Sequence, residues 1–340
     1  AAYVARSEVT TPDGRTVVIV TERSFDPTGG SGVGALTETR TQVDASGDRT
    51  SVTEFDLGEL EWTTTSAQGR ETVSTIDQWH HVVESQAPGQ PLTVWEYDDS
   101  GRVSQITEGD GPQPRVTTYD YSGPYVTSIT DPAGREFNYT VDEWGHVTST
   151  ERPDGESTDA TLDAHGNVIA VEPPGSLSHI QGYDARDRLT SHTAPGDHTT
   201  TIHYDTSGDV DTIDRADGRE VSYERVHGRL TGRSAGGLEV DWTYDASGRP
   251  TSVVADAERG FEWDGSVLLS TTTTGVLDDA DTVEHTVEYE YDSTLRPIVE
   301  EIDGSHMVTR EYDDDGLLTG LGVQTIARDT AGRVVGRTIG

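Results

Sequence analysis

The chain has 340 residues, of which 31% are hydrophobic, and 62 acidic against 24 basic side chains give it a formal net charge of −38. All of the basic side chains are arginines. This charge argues against binding to a nucleic acid backbone or an anionic membrane, because Lys and Arg make such contacts. The absence of cysteine excludes disulfides and thiolate chemistry, and no apolar run approaches the roughly 18 residues of a membrane helix.

Residues 1–41 are the least regular part of the chain, and we expect them to form a divergent N-terminal β segment or cap. The glycine-rich run Gly29–Gly34 is of the kind that cradles phosphate, but it lacks the lysine and the following helix that such loops use. We interpret it as a flexible loop. A plausible first copy of the repeated phrase described next begins at Asp44.

Residues 42–340 repeat a short phrase, of which the clearest copies are YDDSGRV from Tyr97, YDASGRP from Tyr244, YDSTLRP from Tyr291 and YDDDGLL from Tyr312. The period is about 21 residues, which indicates stacked supersecondary units. We predict about 13–14 repeats, with one insertion near residues 271–280. The predicted motif residues are Tyr97, Asp98, Gly101, Arg102, Tyr119, Asp120, Tyr183, Asp184, Tyr204, Asp205, Gly208, Tyr244, Asp245, Gly248, Arg249, Tyr291, Asp292, Tyr312, Asp313 and Gly316.

One repeat shows how the phrase folds. Phe137, Tyr139 and Val141 alternate with polar residues, as expected of a strand with one buried face. The tetrad Asp142–Gly145 is typical of a type I turn followed by a bulge, and Pro153–Gly155 predicts a second turn. Two turns allow two strands per repeat, so the predicted fold is all-β: an antiparallel hairpin ribbon that must coil into a spiral, hollow shell or tube.

With Tyr-Asp-x-x-Gly-Arg recurring at this spacing from Gln42 to Gly340, the chain resembles the YD-repeat family of bacterial rearrangement-hotspot (Rhs) proteins, Tc toxin C subunits and teneurins. The resemblance implies a β-ribbon wound into a hollow shell. In the bacterial toxins this shell encloses a C-terminal toxic domain, and in teneurins it supports cell adhesion. It also implies an exported or cell-surface location.

Two motifs resemble catalytic sequences. Asp131–Phe137 (DPAGREF) is similar to the phrase at which bacterial family members cleave themselves, but it lies in register as an ordinary turn with further repeats after it. Gly232–Gly236 matches the G-x-S-x-G nucleophile elbow, which requires a following helix, whereas a further strand, Leu238–Tyr244, is predicted there. We interpret both as turns and predict no catalytic residue.

Metal and cofactor sites are not predicted. No tightly paired spacing typical of zinc ligands occurs among His80, His81, His192, His198 and His203. Asp278–Asp281 and Asp313–Gly316 concentrate carboxylates that suit calcium, but neither continues as an EF-hand, and Asp in a hairpin turn needs no metal. Calcium at one of these clusters stays an open alternative.

The sequence therefore favours a non-enzymatic structural protein that encapsulates or scaffolds a toxin or other cargo. Its expected partners are a C-terminal cargo or flanking shell segments, since the array stops just after a repeat turn as though truncated. One alternative is an adhesion or glycan-binding module that uses the insertion Thr271–Asp281. Another is a fibre or tube subunit that self-associates through its end strands.

Overall fold

The structure, a computed structural model, describes residues 3–10, 16–26, 34–44, 47–276 and 282–340. In these residues all regular secondary structure is β, in 31 strands and no helix. The first ten strands are β1 (Tyr3–Thr10), β2 (Thr16–Asp26), β3 (Ala35–Asp44), β4 (Gly47–Asp56), β5 (Glu61–Thr65), β6 (Glu71–Ile76), β7 (Val82–Gln86), β8 (Thr93–Tyr97), β9 (Val103–Glu108) and β10 (Arg115–Ser122).

The middle of the chain contains shorter strands, of five to eight residues. They are β11 (Tyr125–Thr130), β12 (Glu136–Val141), β13 (Val147–Glu151), β14 (Ser157–Leu162), β15 (Val168–Glu172), β16 (His179–Tyr183), β17 (Leu189–Ala194), β18 (His198–Tyr204), β19 (Val210–Asp214), β20 (Glu220–Val226), β21 (Arg229–Ala235), β22 (Leu238–Tyr244), β23 (Pro250–Val254) and β24 (Ala257–Asp264). The last strands are β25 (Val267–Val276), β26 (Thr282–Tyr291), β27 (Pro297–Ile302), β28 (His306–Tyr312), β29 (Leu318–Leu321), β30 (Gln324–Arg328) and β31 (Val334–Ile339).

Antiparallel pairing joins strands that are consecutive in the chain, as in β12 with β13 and β13 with β14. The turn between β12 and β13 begins at Asp142, and the register shifts between Thr140 and Val141. The turn between β13 and β14 runs from Arg152 to Glu156 and leaves the register regular. The two predicted turns per repeat, the bulge beside the first of them, and the all-β antiparallel hairpin ribbon are confirmed.

The chain divides into two compact units. Unit 1 comprises Ala1–Tyr97, Ile106–Arg115 and Gly260–Gly340, and unit 2 comprises Asp98–Gln105 and Val116–Arg259. Among the described residues only Val221, Val267 and Ile326 are buried hydrophobic side chains. Since this is too few for a globular core, stability must come from pairing between neighbouring hairpins and from contacts between their turns. No helix in the described part of the chain is long and apolar enough to cross a membrane.

Candidate functional site

A single aspartate organises the first turn of most repeats. In the turn from Asp98 to Arg102, Asp98 Oδ1 accepts hydrogen bonds from the backbone N–H groups of Ser100 (2.8 Å) and Arg102 (3.0 Å). Its other oxygen, Oδ2, accepts one from Arg102 Nε at 2.8 Å. Hydrogen bonding by the Arg102 side chain holds the pKa of Asp98 below its ordinary value. The carboxylate thus fixes the turn and an ion pair at the same time.

The same pairing of a turn aspartate with an arginine four residues later recurs along the chain. It is formed by Asp131 with Arg135, Asp184 with Arg188, Asp245 with Arg249, Asp292 with Arg296, and Asp329 with Arg333. In other turns the partner is a different donor, as where His81 pairs with Asp77 and Asn167 with Asp163. At Asp184 the side-chain hydrogen bond from Arg188 contributes most to lowering the pKa to about 2.

The tyrosine before the aspartate ties each repeat to the preceding hairpin. Tyr204 donates a hydrogen bond from its hydroxyl to the Leu189 carbonyl at 2.7 Å, and the Arg188 guanidinium lies 4.1 Å from the centre of the Tyr204 ring. The equivalent hydroxyl bonds are donated by Tyr97, Tyr121, Tyr183, Tyr244, Tyr291 and Tyr312. Arg102, Arg188 and Arg296 each pair with the aspartate of their own turn and lie over the ring of the next tyrosine, an effect worth about 0.5–1 kcal/mol at exposed sites. In these repeats the contacts run from one repeat to the next.

One predicted copy of the phrase is displaced by two residues. Tyr119 and Asp120 lie within β10, where Asp120 accepts a hydrogen bond from Ser128 Oγ at 2.9 Å. Tyr121 instead donates the hydroxyl bond to the preceding hairpin, to the Val103 carbonyl at 2.7 Å, and the strand continues to Ser122. Two tyrosines stand two residues apart on the same face here, and only the turn position distinguishes them.

The turn that begins at Asp313 lacks the usual arginine, since Leu317 stands at its fifth position. Asp313 Oδ1 still accepts the backbone hydrogen bond from Leu317 at 2.8 Å. Its Oδ2 accepts a hydrogen bond from Arg70 Nη2 at 2.7 Å, across a separation of 243 residues. A distant guanidinium has taken the place of the local one.

The turn that supplies Arg70 has the opposite deficiency. It runs from Ser66 to Arg70 between strands that pair in regular register, and it begins with a serine; Ser66 Oγ accepts the backbone hydrogen bond of Arg70 at 3.1 Å. One turn therefore carries the arginine without the aspartate, and the other carries the aspartate without the arginine. We call the contact between residues 66–70 and 313–317, both in unit 1, the seam.

Further hydrogen bonds hold the seam together. Asp315 Oδ2 accepts hydrogen bonds from Ser66 Oγ at 2.7 Å and from Arg70 Nη1, while its Oδ1 accepts one from the Gln68 backbone at 2.9 Å. Only 12–13% of the side-chain surface of Arg70, Asp313 and Asp315 is exposed. Hydrogen bonding to Asp313 raises the pKa of Arg70, whereas burial raises and the Arg70 bond lowers the pKa of Asp313, with a net lowering.

Two neighbouring contacts show that Arg70 lies where the missing local arginine would lie. The turn before the seam is an ordinary one, and its Arg296 Nη1 lies 2.9 Å from a Cβ added to Gly316 in the seam. In the next repeat, a Cβ added to Gly332 would meet Leu317 Cδ1 at 2.8 Å and Arg70 Nε at 3.1 Å. The turn glycine thus packs against a guanidinium in both cases, and at Gly332 that guanidinium comes from the distant turn.

Residues 55–336 match the family model described as Teneurin YD-shell. The chain belongs to this family. The resemblance drawn from the repeated phrase is thereby confirmed, and the family is structural. No curated protein gave a sequence match.

Solved structures of Tc toxin complexes share the fold of this YD-shell chain. The crystal structure of TcdB2-TccC3-TEV has a TM-score of 0.65 at 13% identity, over 97% of this chain and 24% of that one. The Photorhabdus luminescens Tc holotoxin pore with a mutated TccC3 has a TM-score of 0.64 at 12% identity, over 96% and 23%. The YD-shell chain spans about a quarter of the length of these structures, and identity this low shows likeness of fold alone.

The serine and histidine motifs of the YD-shell chain form local pairs in the structure. Ser234 lies inside β21 with its Oγ 2.7 Å from Ser222 Oγ, and a strand follows, so the helix of a nucleophile elbow is absent there. His192 lies 3.2 Å from His179 and His203 lies 2.9 Å from Asp214. Within the described ranges no three metal-ligating side chains come together. The cluster 278–281 and residues 29–33 lie outside those ranges.

Sequence reasoning missed the seam completely. The signals in the sequence are two turns that each lack half of the aspartate–arginine pair: the turn Ser66–Arg70 has a serine in place of the aspartate, and the turn that begins at Asp313 has Leu317 in place of the arginine. Each departure looks like ordinary repeat degeneration by itself. Together they mark two incomplete turns with complementary charge, but nothing in the spacing says that they meet.

Proposed function

We propose that this chain forms part of the wall of a hollow β-shell that encloses or scaffolds a polypeptide cargo such as a toxin, in a non-enzymatic and exported role. Residues 42–340 are the repeat array of this wall, and residues 1–41 are its divergent N-terminal segment or cap. The proposal is supported by family membership and by the fold shared with TcdB2-TccC3 complexes. The main structural support for the proposal is the seam.

The seam supports a coiled wall because of the way this chain pairs. Consecutive strands pair with each other, so strand pairing by itself brings together only residues close in sequence. The seam joins residues about 245 apart, and Arg333 Nη1 donates a second such bond to the Gly89 carbonyl at 3.2 Å. A hairpin ribbon whose turns meet again after so many repeats has to return along its own path, as a coil does.

Small-angle X-ray scattering with inline mass determination tests the proposal. A monomeric wall around a void should have a radius of gyration well above the roughly 20 Å of a compact 340-residue globule, together with the scattering minimum of a hollow body. A radius of gyration near the globular value would refute the hollow wall. A rod-like profile with a mass that rises with concentration would refute it in favour of a fibre.

A teneurin-like adhesion role is a second candidate, favoured by one structural observation. Strands β25 and β26 are ten residues each, whereas β27 and β28, which follow them, are six and seven. Residues 271–276 of the insertion extend β25 and pair with residues 282–287 of β26. Deletion of residues 271–281 should abolish binding to cells in an adhesion assay if this role is correct, and unchanged binding would exclude the insertion as the contact surface.

A further inference from the structure

Two histidines of unit 2 lie side by side on neighbouring strands. His179 is the first residue of β16 and His192 lies within β17, and both are half-buried. His179 Nδ1 is 3.2 Å from His192 Nε2. The two rings are nearly parallel, with their centres 5.3 Å apart and their planes at 15°. Each ring therefore presents one nitrogen to the same small space between the strands.

The register of the sheet explains how two residues 13 positions apart in the sequence come together. Gln181 pairs directly with His192, and His179 lies two residues before Gln181, on the same face of β16. His192 is therefore the diagonal cross-strand neighbour of His179, a position that ring side chains can reach. The register shift of this hairpin falls between Gly182 and Tyr183, so the pairing beside the two histidines is regular.

The face of the sheet around the two rings carries no carboxylate and no arginine on β15 to β18, all of which are described. Residues that are directly paired, or two apart on one strand, share a face of the sheet. The neighbours of the pair on this face are Val171, Gln181, Ala194, His198 and Thr200. Neither ring makes a further hydrogen bond or ion pair within the described chain. No charged side chain therefore competes for the two facing nitrogens.

The distance between the two nitrogens fits two ligands of one metal ion. Imidazole nitrogens bind Zn²⁺ at about 2.0–2.1 Å, so two of them on one ion lie roughly 3.3 Å apart at a tetrahedral angle and roughly 2.9 Å apart at a right angle. The observed 3.2 Å lies between these two separations. As a hydrogen bond, the same distance is at the upper limit of the usual range of about 2.7–3.2 Å. The pair is thus spaced at least as well for a shared ion as for a shared proton.

We propose that His179 Nδ1 and His192 Nε2 bind a divalent transition-metal ion, with copper(II) preferred. Imidazole suits copper, nickel and zinc, and the affinity of such ligands is highest for copper. In the free pair one ring donates its proton to the other. On binding, that ring carries its proton on its remaining nitrogen instead, and both facing nitrogens accept the ion. Within the described ranges no third ligating side chain joins the pair, so water fills the other coordination positions. The site does not depend on the shell function proposed above.

Isothermal titration calorimetry of the full chain with the chlorides of copper(II), nickel(II) and zinc(II) tests the site, in a buffer that does not bind metals. We expect a saturable site for one ion per chain, tightest for copper. Its affinity should be weakened at least tenfold in His179→Ala and in His192→Ala, because each variant removes one of the two ligands. The matched control is His203→Ala, which removes an exposed histidine of β18 that is bonded to Asp214 and should leave binding unchanged.

Electron paramagnetic resonance of the wild type with one equivalent of copper(II) counts the nitrogen ligands directly. We expect the spectrum of an ion bound by two nitrogens. This count needs no variant, so it tests the site even if the alanine variants do not fold, which thermal unfolding checks. Three results would overturn the proposal: no saturable binding of copper(II), wild-type affinity in either folded alanine variant, or a copper spectrum with fewer than two nitrogen ligands.

Discussion

The turn at Asp184 in unit 2 and the turn at Asp313 in unit 1 use the same chemistry over very different distances. Asp184 pairs with Arg188, four residues away, whereas Asp313 pairs with Arg70, 243 residues away. The local pair leaves about a quarter of each side chain exposed, and the distant pair about an eighth. The same aspartate–arginine ion pair, formed between two distant turns instead of within one turn, is thus better shielded from water.

The largest effect is expected at the seam, from Arg70→Leu. The substitution leaves two largely buried carboxylates, Asp313 and Asp315, without their guanidinium partner, which should lower the free energy of unfolding by about 2–4 kcal/mol. Urea unfolding followed by tryptophan fluorescence measures this change. The matched local change is Arg135→Leu, which breaks an ion pair whose arginine is 65% exposed and should lower the free energy of unfolding far less.

A second substitution shows whether Arg70 truly replaces the missing local arginine. Leu317→Arg in the Arg70→Leu background restores an arginine at the fifth position, where it can pair with Asp313 as Arg188 pairs with Asp184. We expect recovery of part of the lost stability, because Asp315 stays unpaired. A loss in Arg70→Leu no larger than in Arg135→Leu would remove the distinction between the two kinds of turn.

The next effect is expected within the local turns, from Gly248→Ala. Gly248 has φ +88, and a Cβ there would lie 2.5 Å from Arg229 Nη2. Gly218 has φ +81 with no atom within 4 Å of an added Cβ. The positive φ should cost about 1 kcal/mol in either variant, and Gly248→Ala should cost somewhat more because it displaces the Arg229 guanidinium. Urea unfolding of both variants checks this, and equal losses would show that the guanidinium is not held in place.

A smaller effect is expected from Tyr121→Phe, which removes the hydrogen bond to the Val103 carbonyl. The loss should be about 1 kcal/mol, because that carbonyl loses its donor. Tyr119→Phe, two residues earlier in β10, is the control and should change stability by only a few tenths of a kcal/mol. If urea unfolding ranks the two variants in the opposite order, the assignment of the tyrosine contact to Tyr121 is incorrect.

The smallest effect is expected from the aspartates of the local turns, whose protonation changes the stability only in acid. The folded-state pKa of Asp184 is about 2, below its ordinary value of about 3.9. This group therefore contributes stability that is fully present above about pH 4 and is lost as the pH falls towards 2. Urea midpoints measured between pH 2 and pH 6 should fall less steeply with acid in Asp184→Asn than in the wild type. An unchanged slope would mean that Arg188 does not hold this carboxylate, and Asp99→Asn, at an exposed turn position, is the control.

The sequence was sufficient for everything that is local. The turn at Asp142, its bulge between Thr140 and Val141, and the second turn at Arg152 follow from residue types at fixed offsets. The position of the tyrosine contact at Tyr121 could not be read from the sequence, because β10 contains two tyrosines on the same face. The seam at Arg70 could not be predicted, since pairing between consecutive strands gives no information about which distant turns meet.

The measurement that tests the account most directly is the distance between residues 68 and 314. The chain contains no cysteine, so Gln68→Cys and Asp314→Cys provide the only two labelling sites for nitroxide spin labels. Pulsed electron paramagnetic resonance should give a single short distance, which broadens when Arg70→Leu is added. A long or broad distance in the presence of Arg70 would mean that the two turns do not meet. That result would refute both the seam and the coiled wall inferred from it.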